Sequence, residues 1–162
     1  MRYKILYLIF VFNLIQTYSQ QFYTNNGITE FDGSKAAFEP IRATNKSCVS
    51  IFDLKNGKIA AVININEFKF RLGLMQEHFN ENYLESNKYP KSTFEGTIEN
   101  YENIELIDSF EEVSINGVLT IKGVSNSILA KGYIKKIGDK IELKSSFSVK
   151  LSDYNVKIPR IV

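Results

Sequence analysis

Few side chains in this 162-residue chain could do chemistry, and their spacing limits what that chemistry could be. His78 is the single histidine, so a histidine-rich metal site is excluded, and a mixed site with Glu77 or Glu81 has no distinctive ligand spacing. A Ser-His-Asp arrangement would have to use His78, yet no G-x-S-x-G elbow accompanies it. An exposed or helix-capping histidine needs fewer assumptions. Carboxylates pair at Glu111-Glu112 and at Glu102 with Glu105, both in polar surroundings. Nothing there would desolvate one partner and hold a proton on it, as general acid work requires. Cys48 is the only cysteine, which excludes a disulfide within the chain. With no second cysteine and no neighbouring histidine it reads as a small buried apolar side chain. Gly117 and Gly123 precede no helix, so no glycine-rich loop cradles a phosphate. The expectation is a protein that is not an enzyme, with no catalytic residues, no metal and no cofactor.

Alternating apolar side chains dominate instead, arranged around one helix-like stretch. Met75, Phe79 and Tyr83 recur at a spacing close to 3.6 residues, with Gln76, Glu77, Asn80, Glu81, Asn82 and Glu85 between them. The pattern predicts a short amphipathic helix around residues 73–85 whose apolar face lies on a hydrophobic surface. Pro90 disfavours helix at Tyr89, so the helix ends before it and a strand begins near Ser92. Upstream, Asn25-Asn26-Gly27 interrupts a first strand, Pro40 marks a loop or an edge, Cys48, Ser50 and Phe52 alternate, and Lys55-Asn56-Gly57 is a hairpin-type turn. Ile59, Ala61, Ile63 and Ile65 alternate at odd positions, then Phe68, Phe70 and Leu72 at even ones. A β-bulge near Asn66 would put all seven on one side and bend the strand. Phe94, Gly96 and Ile98 alternate next. Val113 and Ile115 lead into Asn116-Gly117, followed by Leu119 and Ile121, and Ile128, Ala130, Gly132 and Ile134 come after. From Ile141 through Leu143, Ser145, Phe147 and Val149 to Leu151 the period of two is clearest, with polar neighbours throughout. That is an antiparallel strand with one wet and one dry face. About seven strands with one helix predict an all-β antiparallel barrel or sandwich, whose interior is either filled by large side chains or left open for one small ligand.

The chain's start carries its own signal. Arg2 and Lys4 precede an apolar core over residues 5–15 broken only by Asn13, and Thr17 and Ser19 suit a cleavage site. The core falls well short of the roughly 20 residues a membrane span needs, so residues 1–19 read as an export signal cleaved after Ser19. An uncleaved anchor or a buried strand is the alternative. Residues 20–162 would then form one domain, exported to the periplasm or secreted, with no stable membrane span. Without the signal the chain has eighteen charges of each sign. A neutral domain offers no basic face for nucleic acid, and Lys131, Lys135, Lys136 and Lys140 read as a solvated hairpin end.

Several of these stretches together resemble the YceI-like family. The anchors are Gln76-Glu77-His78-Phe79 with Tyr89-Pro90 and Thr93-Phe94, then the run Gly117 to Val124, and finally Phe147-Ser148-Val149 with Asp153-Tyr154. The resemblance covers most of residues 22–159. Where the family often has Thr-Lys after the Gly-Val pair this chain has Ser125-Asn126, positions expected to shape a turn. Family members also continue beyond the Asp-Tyr region into a closing strand. Here either that strand is lacking and an edge stays open, or residues 34–44 fill the gap. The resemblance implies a lipocalin-like barrel that binds or carries a polyisoprenoid or related lipid, with no bond chemistry. Lining residues on that reading are Phe68, Phe70, Phe79, Phe94, Ile98, Leu119, Ile121, Leu143, Phe147 and Val149. The partner is an apolar small molecule or lipid, and self-association through an open edge is the competing expectation. An enzyme on a lipid substrate, dependent on His78, is the remaining one.

Overall fold

The structure is a computed structural model and describes residues 21–33 and 41–157. Eight antiparallel strands form one sheet: β1 (Gln21–Asp32), β2 (Arg42–Asp53), β3 (Lys58–Asn64), β4 (Lys69–Phe70), β5 (Lys91–Ile98), β6 (Glu111–Ile121), β7 (Val124–Ile137) and β8 (Lys140–Ser146). Neighbours run β1-β2-β3-β5-β6-β7-β8, with β4 adding to β2. Among the described residues a single α-helix, α1 (Gly73–His78), and a π-turn over Phe79–Tyr83 interrupt the meander between β4 and β5. The connections explain why most neighbours in sequence pair in space. Between β6 and β7, Lys122 and Gly123 both adopt positive φ (51° and 75°), the geometry whose twist matches two right-twisted strands.

Side chains alternate across each strand, and the inward set is apolar. On β5 Ser92, Phe94, Gly96 and Ile98 face in, opposite Leu119, Gly117 and Ile115 of β6. On β7 Ile128, Ala130 and Ile134 continue that face. The sheet curls until its first and last strands approach one interior: Phe22 of β1 packs on the same buried cluster as Ile141 and Leu143 of β8. Among the described residues β1 and β8 do not pair. The result is a nearly closed barrel with one unsealed seam, the all-β architecture the sequence predicts, with one strand more.

Local departures from the sequence reading have physical causes. The parity change near Asn66 is not a bulge. The chain leaves β3, makes a 3-10 turn at Ile65–Glu67, and pairs as β4 with the far half of β2. Asn45 fills the gap where β3 peels away: its amide donates to the Asn64 carbonyl (2.9 Å), and its Oδ1 accepts from the backbone and hydroxyl of Ser47 (2.8 and 2.9 Å). Fully buried, Asn45 is tolerated because its bonding is satisfied. Ile65, Phe68 and Phe70 all turn inward as expected, whereas Leu72 is exposed. Asn25-Asn26-Gly27 shifts the register of β1 against β2 without ending the strand. Asn116-Gly117 likewise stays within β6, and β8 stops at Ser146 although the alternation runs on to Leu151. Residues 42–44 pair with β1 and β4 and do not fill the seam, and residues 34–40 lie outside the described set.

Candidate ligand-binding site

The interior divides into two apolar clusters. The one at the helix end is aromatic. Phe79 is its hub, with ring centroids 5.6 Å from Phe31, 5.5 Å from Phe68 and 4.8 Å from Phe70. Tilted and edge-on pairs of this kind add about 0.5–1.5 kcal/mol each beyond the area they bury. The π-turn is what aims the hub. Its wider winding, with the Leu84 amide donating to the Phe79 carbonyl (2.9 Å), lets Phe79 and Leu84 both point inward, five residues apart. Met75 and Tyr83 flank them half-buried, as the helical spacing predicts. The second cluster, at the opposite end, is aliphatic: Val113, Ile115, Ala130 and Ile134 pack there with Phe52, Ile59 and Ile98.

Phe94 touches both clusters. Gly96 and Gly117 are direct cross-strand partners, and a Cβ on them would fall 2.6 and 2.5 Å from the Phe94 ring. Only glycine lets the ring lie flat on the inner wall at mid-barrel. Phe147 stacks on it, centroids 6.4 Å apart and planes 19° apart, yet remains 45% exposed. A side chain that reaches a mid-barrel ring while facing solvent stands at an opening. It follows Ser146, the last residue of β8, and so sits beside the seam.

Both ends of the barrel are covered. At the aliphatic end the 3-10 turn Tyr101–Asn103 folds over, with the Tyr101 hydroxyl donating to the Leu54 carbonyl (2.9 Å) and its ring edge-on to Phe52. Burial, then the negative charge of Asp53, pushes the Tyr101 phenol up from its ordinary range. At the aromatic end the 3-10 turn Leu151–Tyr154 crosses the opening, and Val149, Leu151, Tyr154 and Val156 pack inward. Asn126 donates to the Asp153 carbonyl (2.8 Å). Lys122 donates to the Asn155 carbonyl (3.4 Å) and ion-pairs with Glu85, whose carboxyl it holds below the usual range. One hairpin thus ties the helix segment to the C-terminal segment. Ser125 and Asn126 open β7, and the turn itself is Lys122-Gly123, so Asn126 serves as a tether where a turn residue was expected.

Of the ten lining residues expected from the sequence, Phe68, Phe70, Phe79, Leu119, Ile121 and Val149 lie in the aromatic cluster. Ile98 and Leu143 lie in the aliphatic one, and Phe94 and Phe147 span the middle and the seam. Sequence reasoning missed Phe31, Tyr101, Asn126 and Tyr154. The Asp153-Tyr154 anchor pointed to the last of them without giving it a place. His78 is exposed at the end of α1, and the Glu111-Glu112 side chains project to opposite faces of β6. Cys48 is half-buried, and burial pushes its thiol up against the opposing pull of the Thr29 hydroxyl, which keeps it a poor nucleophile. Among the described residues no three metal-type ligands converge, and no helix is long and apolar enough to cross a membrane. Lys135, one of the four lysines at the hairpin end, pairs with Glu142 as Lys144 does, and both lie over the Phe110 ring.

Comparison with known proteins settles the lineage. The profile of the YceI-like domain matches residues 16–161. The chain belongs to the YceI-like family. Solved relatives of the same fold include a polyisoprenoid binding domain from Saccharophagus degradans, at 15% identity over 86% of this chain and 78% of that one, with a TM-score of 0.65. BcnA of Burkholderia cenocepacia follows at 17% identity over 82% of each chain, TM-score 0.65. The YceI protein of Campylobacter jejuni matches at 19% over 78% of this chain and 77% of that one, TM-score 0.57. At such identities the likeness to the solved structures establishes the barrel and carries no residue roles. No curated protein matches the sequence.

Proposed function

We propose that this YceI-like barrel binds an apolar, isoprenoid-like chain in its interior and carries it without making or breaking bonds. The observation behind this reading is the mid-barrel aromatic pair: Phe94 flattened on Gly96 and Gly117, with the half-exposed Phe147 stacked on it at the seam. A solid core has no use for an aromatic pair that runs from its centre to solvent. The polyisoprenoid binding domain among its structural neighbours supports the ligand class. On this reading the guest threads between the clusters, against Phe68, Phe70, Phe79, Leu119, Ile121 and Val149 at one end and Ile98 and Leu143 at the other. Each buried CH2 contributes about 0.8 kcal/mol, so a partly enclosed prenyl chain reaches micromolar affinity after ordering costs.

Residues 1–19 act as an export signal cleaved after Ser19, and the protein works in the periplasm or outside the cell. An intact mass beginning at Gln20 would support export, and an uncleaved N-terminus would count against it. Native mass spectrometry of protein purified from its own membrane-containing extract tests the carrier reading. Bound lipid, or uptake of added polyprenol, supports it; a chain that arrives empty and takes up nothing refutes it. Among the described residues β1 and β8 do not pair with each other, and that seam favours a second reading, a packed barrel that self-associates. Sedimentation at rising concentration separates the two, since a carrier of this kind stays monomeric.

A further inference from the structure

The aromatic end holds two buried polar atoms without a hydrogen-bond partner, the acceptor Asn80 Oδ1 on the π-turn and the Tyr154 hydroxyl, and of these only the hydroxyl is a donor and belongs to the buried aromatic cluster. Tyr154 is 1% exposed, in the buried cluster that also holds Phe79, Leu84, Leu119 and Val156, and its hydroxyl closes no hydrogen bond. Asn126 is the polar side chain that acts on the phenol, yet its amide nitrogen donates to the Asp153 carbonyl (2.8 Å) and closes no bond to the hydroxyl. The phenolic proton therefore has no acceptor. An orphaned buried hydroxyl is costly, while phenylalanine would fill the same space with no such penalty. The contrast with Tyr101 is direct, since that hydroxyl is satisfied by the Leu54 carbonyl.

We infer that Tyr154 is the specificity residue of the barrel: its hydroxyl donates to an acceptor oxygen on the polar end of the apolar guest. This rests on the carrier reading above and adds to it which end of the guest goes where. The guest lies with its oxygen at the helix end, between Asn126 and Tyr154, and its hydrocarbon passing Phe94. The aliphatic end offers no comparable unmatched donor among the described residues, so the orientation is fixed by this one group. The chemical class is a long prenyl chain ending in a carbonyl, ester or phosphate oxygen. A pure hydrocarbon of the same length satisfies the walls and leaves the hydroxyl unmet.

Binding of two probes of equal chain length, a prenyl ketone and the corresponding hydrocarbon, tests this on the full-length protein by native mass spectrometry or isothermal titration. Wild type should prefer the ketone about tenfold, the equivalent of one satisfied hydrogen bond. Tyr154→Phe should lose that preference, bind the hydrocarbon as before, and melt no lower than wild type because it sheds an unmet polar group. Equal binding of both probes by wild type, or a preference that survives Tyr154→Phe, overturns the assignment and leaves the carrier reading standing. Wild type that binds neither probe removes the carrier reading and the Tyr154 assignment with it.

Discussion

The two ends of the barrel are built from the same alternating strands but differently finished. At the aliphatic end Val113, Ile115, Ala130 and Ile134 are almost wholly buried, and the covering Tyr101 has its hydroxyl bonded. At the aromatic end large rings meet at tilted angles, the covering segments are outside the sheet, and the buried Tyr154 hydroxyl is unmatched. Branched aliphatics interlock and leave little room, so the first end acts as a plug. Phe79, the hub of those rings, is carried by a π-turn and not by a strand, so it can shift without breaking a β-ladder. On the carrier reading, the difference puts most of the stability at the aliphatic end and the polar terminus of the guest at the aromatic one.

The largest effect that should separate the ends is at the plug. Ile115→Ala should cost about 3 kcal/mol in urea unfolding, a buried cavity with little scope for collapse, and leave affinity for a polyprenol within about twofold. A comparable loss of binding would mean the plug also lines the site. Gly117→Ala drives a Cβ against Phe94 and the Glu95 carbonyl and should destabilise by about 2 kcal/mol. Unlike Ile115→Ala it should also weaken polyprenol binding, because Phe94 is pushed into the guest's path; unchanged titration would separate Phe94 from the guest. Tyr101→Phe should cost about 1 kcal/mol by unmaking the bond to Leu54, whereas Tyr154→Phe should cost nothing, and thermal melts of the two show whether the signs differ.

The smallest effect concerns the tether. Lys122 holds the Glu85 carboxyl below its ordinary range, so the pair's stabilisation is complete above the ordinary carboxylate range and fades as pH falls through the lowered value. Stability measured against pH should decline there in wild type and follow a flatter course in Lys122→Met. Identical curves would show that the ion pair does not hold the C-terminal segment to the helix segment.

Much of this was legible in the sequence, because a strand with one wet face must alternate. The inward faces of β5, β7 and β8, the helix set by Met75, Phe79 and Tyr83, and the turn into β5 at Pro90 all follow from period and proline chemistry. Other features were not. A change of parity at Asn66 is compatible with a bulge or with a 3-10 turn, and only the pairing of β4 with β2 decides. Asn116-Gly117 has the composition of a hairpin turn, but its glycine serves the flat packing of Phe94. Alternation past Ser146 records which way side chains point and cannot supply a partner strand. Nor does any local pattern reveal that the hydroxyl of Tyr154 is unmatched, because that depends on what segments remote in sequence fail to offer it.

The chain contains no tryptophan, which makes the seam directly observable. In Phe147→Trp the only indole stands where solvent meets the mid-barrel ring of Phe94. Titration with a polyprenol should move its emission to shorter wavelength and saturate at one equivalent, as the guest covers the opening. Emission that stays unchanged while lipid binds elsewhere, or that never responds at all, would contradict a guest held between the two clusters.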